Sequence, residues 1–181
     1  EELLETKSEA PKIQFSPEDD LAALQYTGGT TGTAKGAELT HANLVANATA
    51  FAAWIKGTDE DTFLAALPLF HIYGMTTSMN VPIHLAAKMV MLPSFDPLTA
   101  LESIQKHRVT VFCGVPTMYA ALLANPELSK FNLTSIRVCI SGASPLPPQI
   151  QKKFMEMTGG FLAEGYGLTE ASPVTHCSPV D

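Results

Sequence analysis

Short apolar runs alternate with longer amphipathic stretches along most of this 181-residue chain. Most of the runs are apolar at successive positions, which is typical of strands buried on both faces of a sheet. We predict strands at residues 21–27, 62–66, 88–92, 109–113, 136–140 and 161–163, the last of them being the final strand.

The amphipathic stretches carry signals for helix starts. Thr40 is a favourable N-cap residue, and Asp96-Pro97 is a typical first turn. We predict helices at residues 40–55, 75–86, 97–107, 116–124 and 148–157, with a kink at Pro82. Because strand and helix alternate with the spacing of βαβ units, the predicted fold class is α/β: a mostly parallel sheet flanked by helices on both faces.

Polar segments that contain glycine or proline follow several of the predicted strands. Ligands of parallel sheets bind beyond the carboxyl ends of the strands, so we expect these segments to share one crevice. They are residues 27–36, 68–74, 114–117, 141–145 and 165–173. Residues 1–19 are polar and are predicted to form a lead-in or linker.

The segment 26–36 has the composition of a phosphate-binding loop. Its eleven residues include four glycines, four threonines and Lys35. Glycines allow several backbone N–H groups to converge on an anion, while the hydroxyls and the lysine add further donors. A Walker P-loop is excluded because Gly36, and not a helix, follows Lys35, and the glycine spacing does not fit a dinucleotide fingerprint. The loop is therefore predicted to connect two strands.

Charge and cysteine usage narrow the function classes. The net charge of −7 argues against nucleic acid or an anionic membrane as a partner. The three cysteines are far apart and form no CxxC pair, so we expect reduced thiols in a cytoplasmic protein. No apolar run reaches the length of a transmembrane segment.

Several motifs resemble those of the adenylate-forming superfamily, which includes acyl-CoA synthetases, aryl-CoA ligases, luciferases and adenylation domains of peptide synthetases. Residues 26–36 are similar to the phosphate loop of that family, residues 141–146 to its adenine-side segment, and residues 165–170 to its Tyr-Gly-x-Thr-Glu signature. Residues 68–74 and 115–117 also match. The motifs follow one another in the family's order, and the signature looks most like that of fatty acyl-CoA synthetases.

The chain departs from the family pattern at three places. Gly28 replaces the usual serine, Ala34 replaces the usual proline, and Gly142-Ala143-Ser144 stands where many relatives have Gly-Gly-Ala. Lys35 and Glu170 are retained. These differences affect fine positioning and leave the reaction class unchanged.

The resemblance also implies a domain organisation. Members of the family continue beyond the glutamate signature and end in a small lid domain with a catalytic lysine. We therefore expect residues 20–181 to be a partial AMP-binding domain, the middle part of a longer enzyme that also has amino-terminal and carboxy-terminal parts.

The resemblance implies the substrates ATP, coenzyme A and a carboxylic acid, with Mg²⁺ as the metal. The acid would first form an acyl-adenylate, from which coenzyme A displaces AMP. The residues expected around the β- and γ-phosphates are Thr27, Gly28, Gly29, Thr30, Thr31, Gly32 and Lys35. The residues expected around the adenine and the α-phosphate are Gly142, Ala143, Ser144, Gly165, Tyr166, Gly167 and Thr169.

The resemblance implies four catalytic residues: Lys35, His71, Thr169 and Glu170. Lys35 would supply countercharge, Glu170 would hold Mg²⁺, and His71 would lie where carboxylate and thioester chemistry meet. Plainer interpretations are a capping role for Glu170 and a packed or hydrogen-bonded structural role for His71.

Other functions stay open at this stage. Residues 68–74 contain no acidic side chain to hold an amino group, which favours a fatty or aryl acid over an amino acid. The small and flexible residues 75–79 are expected to line the acyl slot. A nucleotide-binding module without catalysis is the alternative for the isolated chain, and a P-loop ATPase is disfavoured by the position of Lys35.

Overall fold

The structure is a computed structural model that describes residues 13–27 and 34–180. Strands β1 (Leu21–Thr27) and β2 (Lys35–Thr40) form a two-stranded antiparallel sheet. A second sheet contains β3 (Thr62–Ala65), β4 (Lys88–Met91), β5 (Val111–Gly114), β6 (Val138–Ser141), β7 (Phe161–Gly167) and β8 (Val174–Cys177). Its spatial order is β4-β3-β5-β6-β7-β8, with β8 alone antiparallel to its neighbour.

Helices cover both faces of the larger sheet. Short turns of 3₁₀-helix occur at Leu128–Lys130 and Thr169–Ala171. The α-helices are α1 (His41–Trp54), α2 (Ile72–Met75), α3 (Val81–Leu85), α4 (Pro97–His107), α5 (Pro116–Ala124) and α6 (Pro148–Thr158). Within residues 13–27 and 34–180, no helix combines the length and the apolar character that crossing a membrane requires.

Successive side chains of the central strands feed two separate cores. Phe112 packs with α4, α5 and α6 on one face, whereas Val111 and Cys113 pack with α1 and α3 on the other. This follows from the alternation of side chains along a strand, and it explains why the central strands are apolar at every position. The predicted fold class is confirmed.

The order of the strands creates a crevice at one edge of the sheet. From β3 the chain first crosses to β4 on one side and then reaches β5 on the other side of β3. At such a reversal, the connections that leave neighbouring strands diverge to opposite faces and leave a gap beyond the carboxyl ends. The candidate site lies at this edge.

The strand before the glycine-rich loop does not join the parallel sheet. β1 pairs with β2, so the expectation that the loop connects two strands is confirmed, but both strands stand apart from the central sheet. The short connection explains why the pair is antiparallel, because parallel strands need a much longer crossover. Half of the side chains of β1 and β2 are exposed, whereas β3, β5 and β6 are fully buried.

The predicted helix 75–86 differs from the structure in both its start and its geometry. It starts at Ile72, where the His71 Nδ1 atom accepts a hydrogen bond of 3.2 Å from the Tyr73 amide. A π-helical segment, Thr76–Asn80, then separates α2 from α3. Pro82 lacks the amide that an α-helix needs at this point, and the wider turn accommodates it without a break.

The prediction that residues 161–163 form the final strand is wrong. β7 extends to Gly167, and β8 follows it as an antiparallel edge strand. Glycines at 165 and 167 conceal the extension because they lower strand propensity. β8 gives no apolar signal because Thr175 and His176 are exposed.

A buried carboxylate ties several elements together at the amino edge of the larger sheet. Asp61 is 4% exposed and accepts hydrogen bonds from Arg137 Nε at 2.8 Å, from Thr110 Oγ1 at 2.6 Å and from the Thr58 amide at 2.9 Å. Arg137 also donates to the Ile55 carbonyl at the end of α1, at 2.7 Å. Burial by itself raises the pKa of Asp61, but the hydrogen bonds from Arg137, Thr110 and Thr58 outweigh it and lower the pKa.

Replacing Asp61 with asparagine should destabilise the chain by about 2–3 kcal/mol at pH 7, somewhat less than the usual value for a buried pair because Arg137 is partly exposed. The carboxylate stabilises the fold above its ordinary pKa of 3.8, and this contribution is lost as the pH falls through the lower pKa of the folded state. Urea unfolding should therefore show a difference between Asp61→Asn and the unsubstituted chain that is large at pH 7 and shrinks as the pH falls below 3.8. The neighbouring exposed Asp59→Asn is the control, and an equal loss in both variants would contradict this role for Asp61.

Candidate functional site

Two adjoining cavities open at the carboxyl edge of the sheet. The first has a volume of about 210 Å³ and lies between the start of α2 and the ends of β6 and β7. The second, of about 590 Å³, lies between the segment after β6 and the β7–β8 pair. Both are lined by Ala143 and by Gly165, Tyr166 and Gly167, so this strand end forms the wall between them.

The structure brings many of the sequence-predicted residues together around these cavities. His71, Gly142 and Thr169 line the first cavity, and Ser144 lines the second. Together with the residues of the shared wall, they bring the predicted site residues of the segments 141–145 and 165–170 to the same pair of cavities. The expectation that these strand exits share a crevice is confirmed for the segments 68–74, 141–145 and 165–173, each of which contributes lining residues. No residue of the segment 114–117 lines either cavity.

The predicted phosphate loop is described only at its two ends. Gly28, Gly29, Thr30, Thr31 and Gly32 lie outside the described residues. Thr27 and Lys35 face each other in the β1–β2 register, and the Thr27 hydroxyl donates to the Lys35 carbonyl at 3.3 Å. Lys35 is exposed at the start of β2, and β2 contacts the turn Thr169–Ala171.

Glu170 is exposed in the turn Thr169–Ala171. Its carboxylate forms no hydrogen bond or ion pair with the residues that the structure describes. Among the described residues it therefore caps neither a helix nor the turn after Thr169. A free carboxylate near the strand that begins with Lys35 is a suitable cation ligand.

Tyr166 presents an aromatic surface between the cavities. Its side chain is 65% exposed, and the centre of its ring lies 6.3 Å from that of His176 on β8. Aromatic rings pack favourably on other planar groups in offset-stacked arrangements. The ring therefore suits stacking against a planar group.

Gly142 is required by the close approach of a second tyrosine. A Cβ atom at this position would lie 3.0 Å from the ring of Tyr73, which is closer than nearly all side-chain contacts allow. The amide of Gly142 donates to the Gly114 carbonyl at 3.0 Å. The glycine thus lets the backbone after β6 pass directly over α2, and a larger residue would push the cavity wall outward.

Ala143 has a backbone conformation that favours glycine. Its φ of +70° lies in the left-handed region, where a Cβ atom costs about 1 kcal/mol or more. This is the position at which Gly-Gly-Ala relatives carry their second glycine. The departure noted in the sequence therefore has a physical cost at the rim of both cavities.

His71 has a structural role that the sequence left open. Its Nδ1 atom caps α2, and its side chain is exposed at the first cavity. Because Nδ1 accepts a hydrogen bond, a neutral ring carries its proton on Nε2. The second nitrogen is thus a hydrogen-bond donor at the cavity.

The buried phenol and thiols near the site are not nucleophiles. Burial raises the pKa of Tyr73 well above its ordinary value, and its hydroxyl donates to the Ile140 carbonyl at 2.9 Å. Burial also raises the pKa of Cys113 to about 12. The thiol stays protonated at neutral pH, so the chemistry of the site does not come from it.

Sequence reasoning assigned no site role to several residues that line the cavities, among them Tyr73, Glu164 and His176. Tyr73 belongs to the quoted segment 68–74, and Glu164 directly precedes Gly165, so the motifs could have drawn attention to both. The Glu164 Oε1 atom accepts from the Leu146 amide at 3.3 Å. No sequence signal marks His176, because only the pairing of β7 with β8 brings it opposite Tyr166.

The chain is similar to known ligases in sequence. It is 51% identical over 170 residues to the long-chain-fatty-acid–CoA ligase of Bacillus subtilis strain 168, covering 93% of this chain and 30% of that protein. It is 36% identical over 176 residues to 4-coumarate-CoA ligase 1 of Narcissus pseudonarcissus, covering 93% and 31%. The chain thus spans about a third of the length of these relatives.

Solved structures agree with the sequence comparison. The ATP-bound crystal structure of MatB from Rhodopseudomonas palustris superposes with a TM-score of 0.83 at 38% identity, covering 93% of this chain and 33% of that one. The long-chain-fatty-acid-CoA ligase FadD1 from Archaeoglobus fulgidus gives 0.78 at 30% identity, covering 92% and 35%. The family model described as AMP-binding enzyme matches residues 1–181, and the chain therefore belongs to the family of AMP-binding enzymes.

Proposed function

We propose that this chain is the ATP-binding part of a longer ligase that converts a fatty acid to its coenzyme A thioester through an acyl-adenylate. The observation that carries the proposal is the convergence of residues 142–144 and 165–169 on two adjoining cavities. A fatty acyl-CoA ligase at 51% identity supports the same reaction. In this proposal residues 1–19 are a lead-in, and residues 20–181 are part of a larger AMP-binding domain.

The second cavity is the proposed adenine site. The adenine would stack on Tyr166, with Ala143 and Ser144 opposite, and the glycines 165 and 167 would give the nucleotide close access to the backbone. Gly142 lines the first cavity, next to this wall. Thr169 would contact the α-phosphate. The β- and γ-phosphates would lie between Lys35 and residues 27–32, because β2 runs beside the turn that carries Thr169.

Mg²⁺ is compatible with the groups available. Among the described residues, no cluster of three or more His, Cys, Asp or Glu side chains could hold a cation unaided. Mg²⁺ is usually bound through one or two carboxylates together with substrate phosphates, and the exposed carboxylate of Glu170 fits that pattern. When bound, the ion would neutralise phosphate charge and fix the geometry of the triphosphate.

Charge neutralisation is the main task of the proposed site. A carboxylate must approach the α-phosphate of a polyanion, and pyrophosphate must leave with additional charge. Lys35 and backbone N–H groups would stabilise that charge in the transition state. The carboxylate of the acid would lie near the Nε2 donor of His71, and coenzyme A would attack there in the second step.

The first cavity is the proposed site for the acid. None of the residues that line it in the described structure is acidic, and Ile72, Tyr73, Ile140, Leu168 and Val174 give it an apolar surface. This lining suits an uncharged tail. The expectation that residues 75–79 line the slot finds no support in this cavity, since Thr76, Thr77 and Ser78 are buried and are not among its lining residues.

An aryl-CoA ligase is the second candidate, favoured by the 36% identity to the 4-coumarate ligase.

For the compartment we propose the cytoplasm, because Cys113 and Cys139 are free, buried thiols.

Acid-dependent pyrophosphate exchange by the full-length protein should separate these candidates. Palmitate and octanoate should support exchange better than coumarate, because the chain is 51% identical to a long-chain-fatty-acid–CoA ligase and 36% identical to a 4-coumarate ligase. Leucine should be inactive, since its ammonium group would find no acidic partner. Coumarate as the best substrate would establish the aryl alternative, and leucine as the best substrate would reject both candidates.

Lys35→Ala in the full-length protein should lower the rate of adenylate formation about 10²–10³-fold, because one donor to the developing charge is lost. Its thermal stability should stay within 1–2 °C, since the side chain is exposed. Lys130→Ala is the matched control, because Lys130 is exposed and pairs only with Glu127 on the surface. An unchanged first half-reaction in Lys35→Ala would remove Lys35 from the site.

Ala143→Gly should stabilise the protein by about 0.5–1 kcal/mol, because it relieves the left-handed backbone at φ +70°. The KM for ATP should change by less than about threefold, since the substitution removes only one methyl group. Ala163→Gly, in a strand with ordinary φ, is the control and should destabilise. Equal losses of stability in both variants would show that residue 143 is not strained.

A further inference from the structure

The segment 168–174 forms a closed turn that presents Thr169 and Glu170. Within it, the Ala171 amide donates to the Leu168 carbonyl at 3.0 Å and the Ser172 amide to the Thr169 carbonyl at 3.2 Å. The Leu168 amide donates to the Pro173 carbonyl at 3.0 Å and closes the turn at its base. These bonds fix the shape of the turn but do not attach it to the rest of the protein.

One side chain on α1 supplies that attachment. The amide nitrogen of Asn47 donates to the Ala171 carbonyl at 3.0 Å and to the Val174 carbonyl at 2.9 Å. The Asn47 Oδ1 atom accepts from the Val174 amide at 3.2 Å. Asn47 thus uses both of its donor hydrogens and its carbonyl, and it grips the chain immediately after Glu170 and again three residues later.

A second polar contact holds the same segment from another direction. Thr76, in the π-helical segment, is fully buried, and its hydroxyl donates to the Ser172 carbonyl at 3.0 Å. Thr76 therefore binds the Ser172 backbone itself, and Asn47 binds backbone groups on both sides of it. The side chains of Thr169 and Glu170 form no hydrogen bond with the described residues and stay available.

Asn47 also links the turn to Lys35 by a short path. β2 begins at Lys35 and ends at Thr40, which caps α1 through a capping box with Asn43. Asn47 lies one turn of helix further on. Lys35, the proposed cationic partner of Mg-ATP, therefore belongs to the same strand–helix unit as Asn47. Glu170, the proposed anionic partner, belongs to the turn that Asn47 holds against this unit.

We propose that Asn47 is a positioning residue, which rests on the function proposed above: it sets the position of Thr169 and Glu170 relative to Lys35 for binding Mg-ATP. Partners that orient a metal ligand usually contribute 10–100-fold to affinity or activity. Asn47→Ala should lower kcat for adenylate formation by about that factor and should weaken binding of Mn²⁺-ATP by about tenfold. The KM for the acid should change little.

Three variants of the full-length protein make the test specific. Asn47→Asp keeps the size and the acceptor but replaces both donors with a carboxylate that repels the Ala171 and Val174 carbonyls, so it should be at least as impaired as Asn47→Ala. Thr49→Val on the exposed side of α1 removes a local hydroxyl and should be silent. Asp61→Asn is destabilised at the opposite edge of the sheet and measures what instability alone does to activity.

The measurements separate positioning from general stability. Hydrogen exchange of a peptide covering residues 168–177 should accelerate in Asn47→Ala and not in Asp61→Asn, and electron paramagnetic resonance of Mn²⁺-ATP should report the weaker binding. The proposal is overturned if exchange in that peptide is unchanged, or if Asn47→Ala loses no more activity and no more Mn²⁺-ATP affinity than Asp61→Asn. Absence of acid-dependent AMP formation by the unsubstituted protein would reject the proposed function, whereas exchange would still decide whether Asn47 holds the turn.

Discussion

Parallel strands all end at the same edge of their sheet, and the rest of this structure depends on that geometric constraint. Segments that are far apart in sequence, 68–74, 142–145 and 165–169, lie at the carboxyl ends of β3, β6 and β7 and meet because these strands are parallel in one sheet. Beyond the strand ends, the backbone N–H and C=O groups no longer pair with a neighbouring strand. Polar residues and glycines therefore collect at this edge. A site for a charged, planar ligand is a natural consequence.

The two edges of the sheet have different tasks. At the amino edge, Asp61 and Arg137 satisfy one another's hydrogen-bonding groups and connect α1 with the starts of β3, β5 and β6. At the carboxyl edge, the charged groups Lys35 and Glu170 have no such mutual partner among the described residues. Paired charge stabilises a fold, whereas unpaired exposed charge is available to a ligand. Asn47 holds such a charge in place through backbone groups, without neutralising it.

Local signals predicted much of this architecture. The caps at Thr40 and Asp96 and the proline at 116 fixed three helices to within a residue, because capping depends on neighbouring residues alone. Errors arose where long-range contacts decide. The separate β1–β2 sheet, the edge strand β8 and the π-helical segment depend on strand pairing or on packing, and none of these leaves a periodic pattern in the sequence.

The sequence alone determined the family and the chemical character of the site, because motifs such as 26–36 and 165–170 carry their glycines, hydroxyls and charges in a fixed local order. Only the tertiary structure decided which residues share a wall. It placed His176 opposite Tyr166, gave Ala143 a left-handed backbone and joined Asn47 to the turn after Glu170 across 124 to 127 positions of sequence. Motifs depend on residues that are neighbours in the sequence, whereas such contacts exist only when packing of the sheet brings distant segments together.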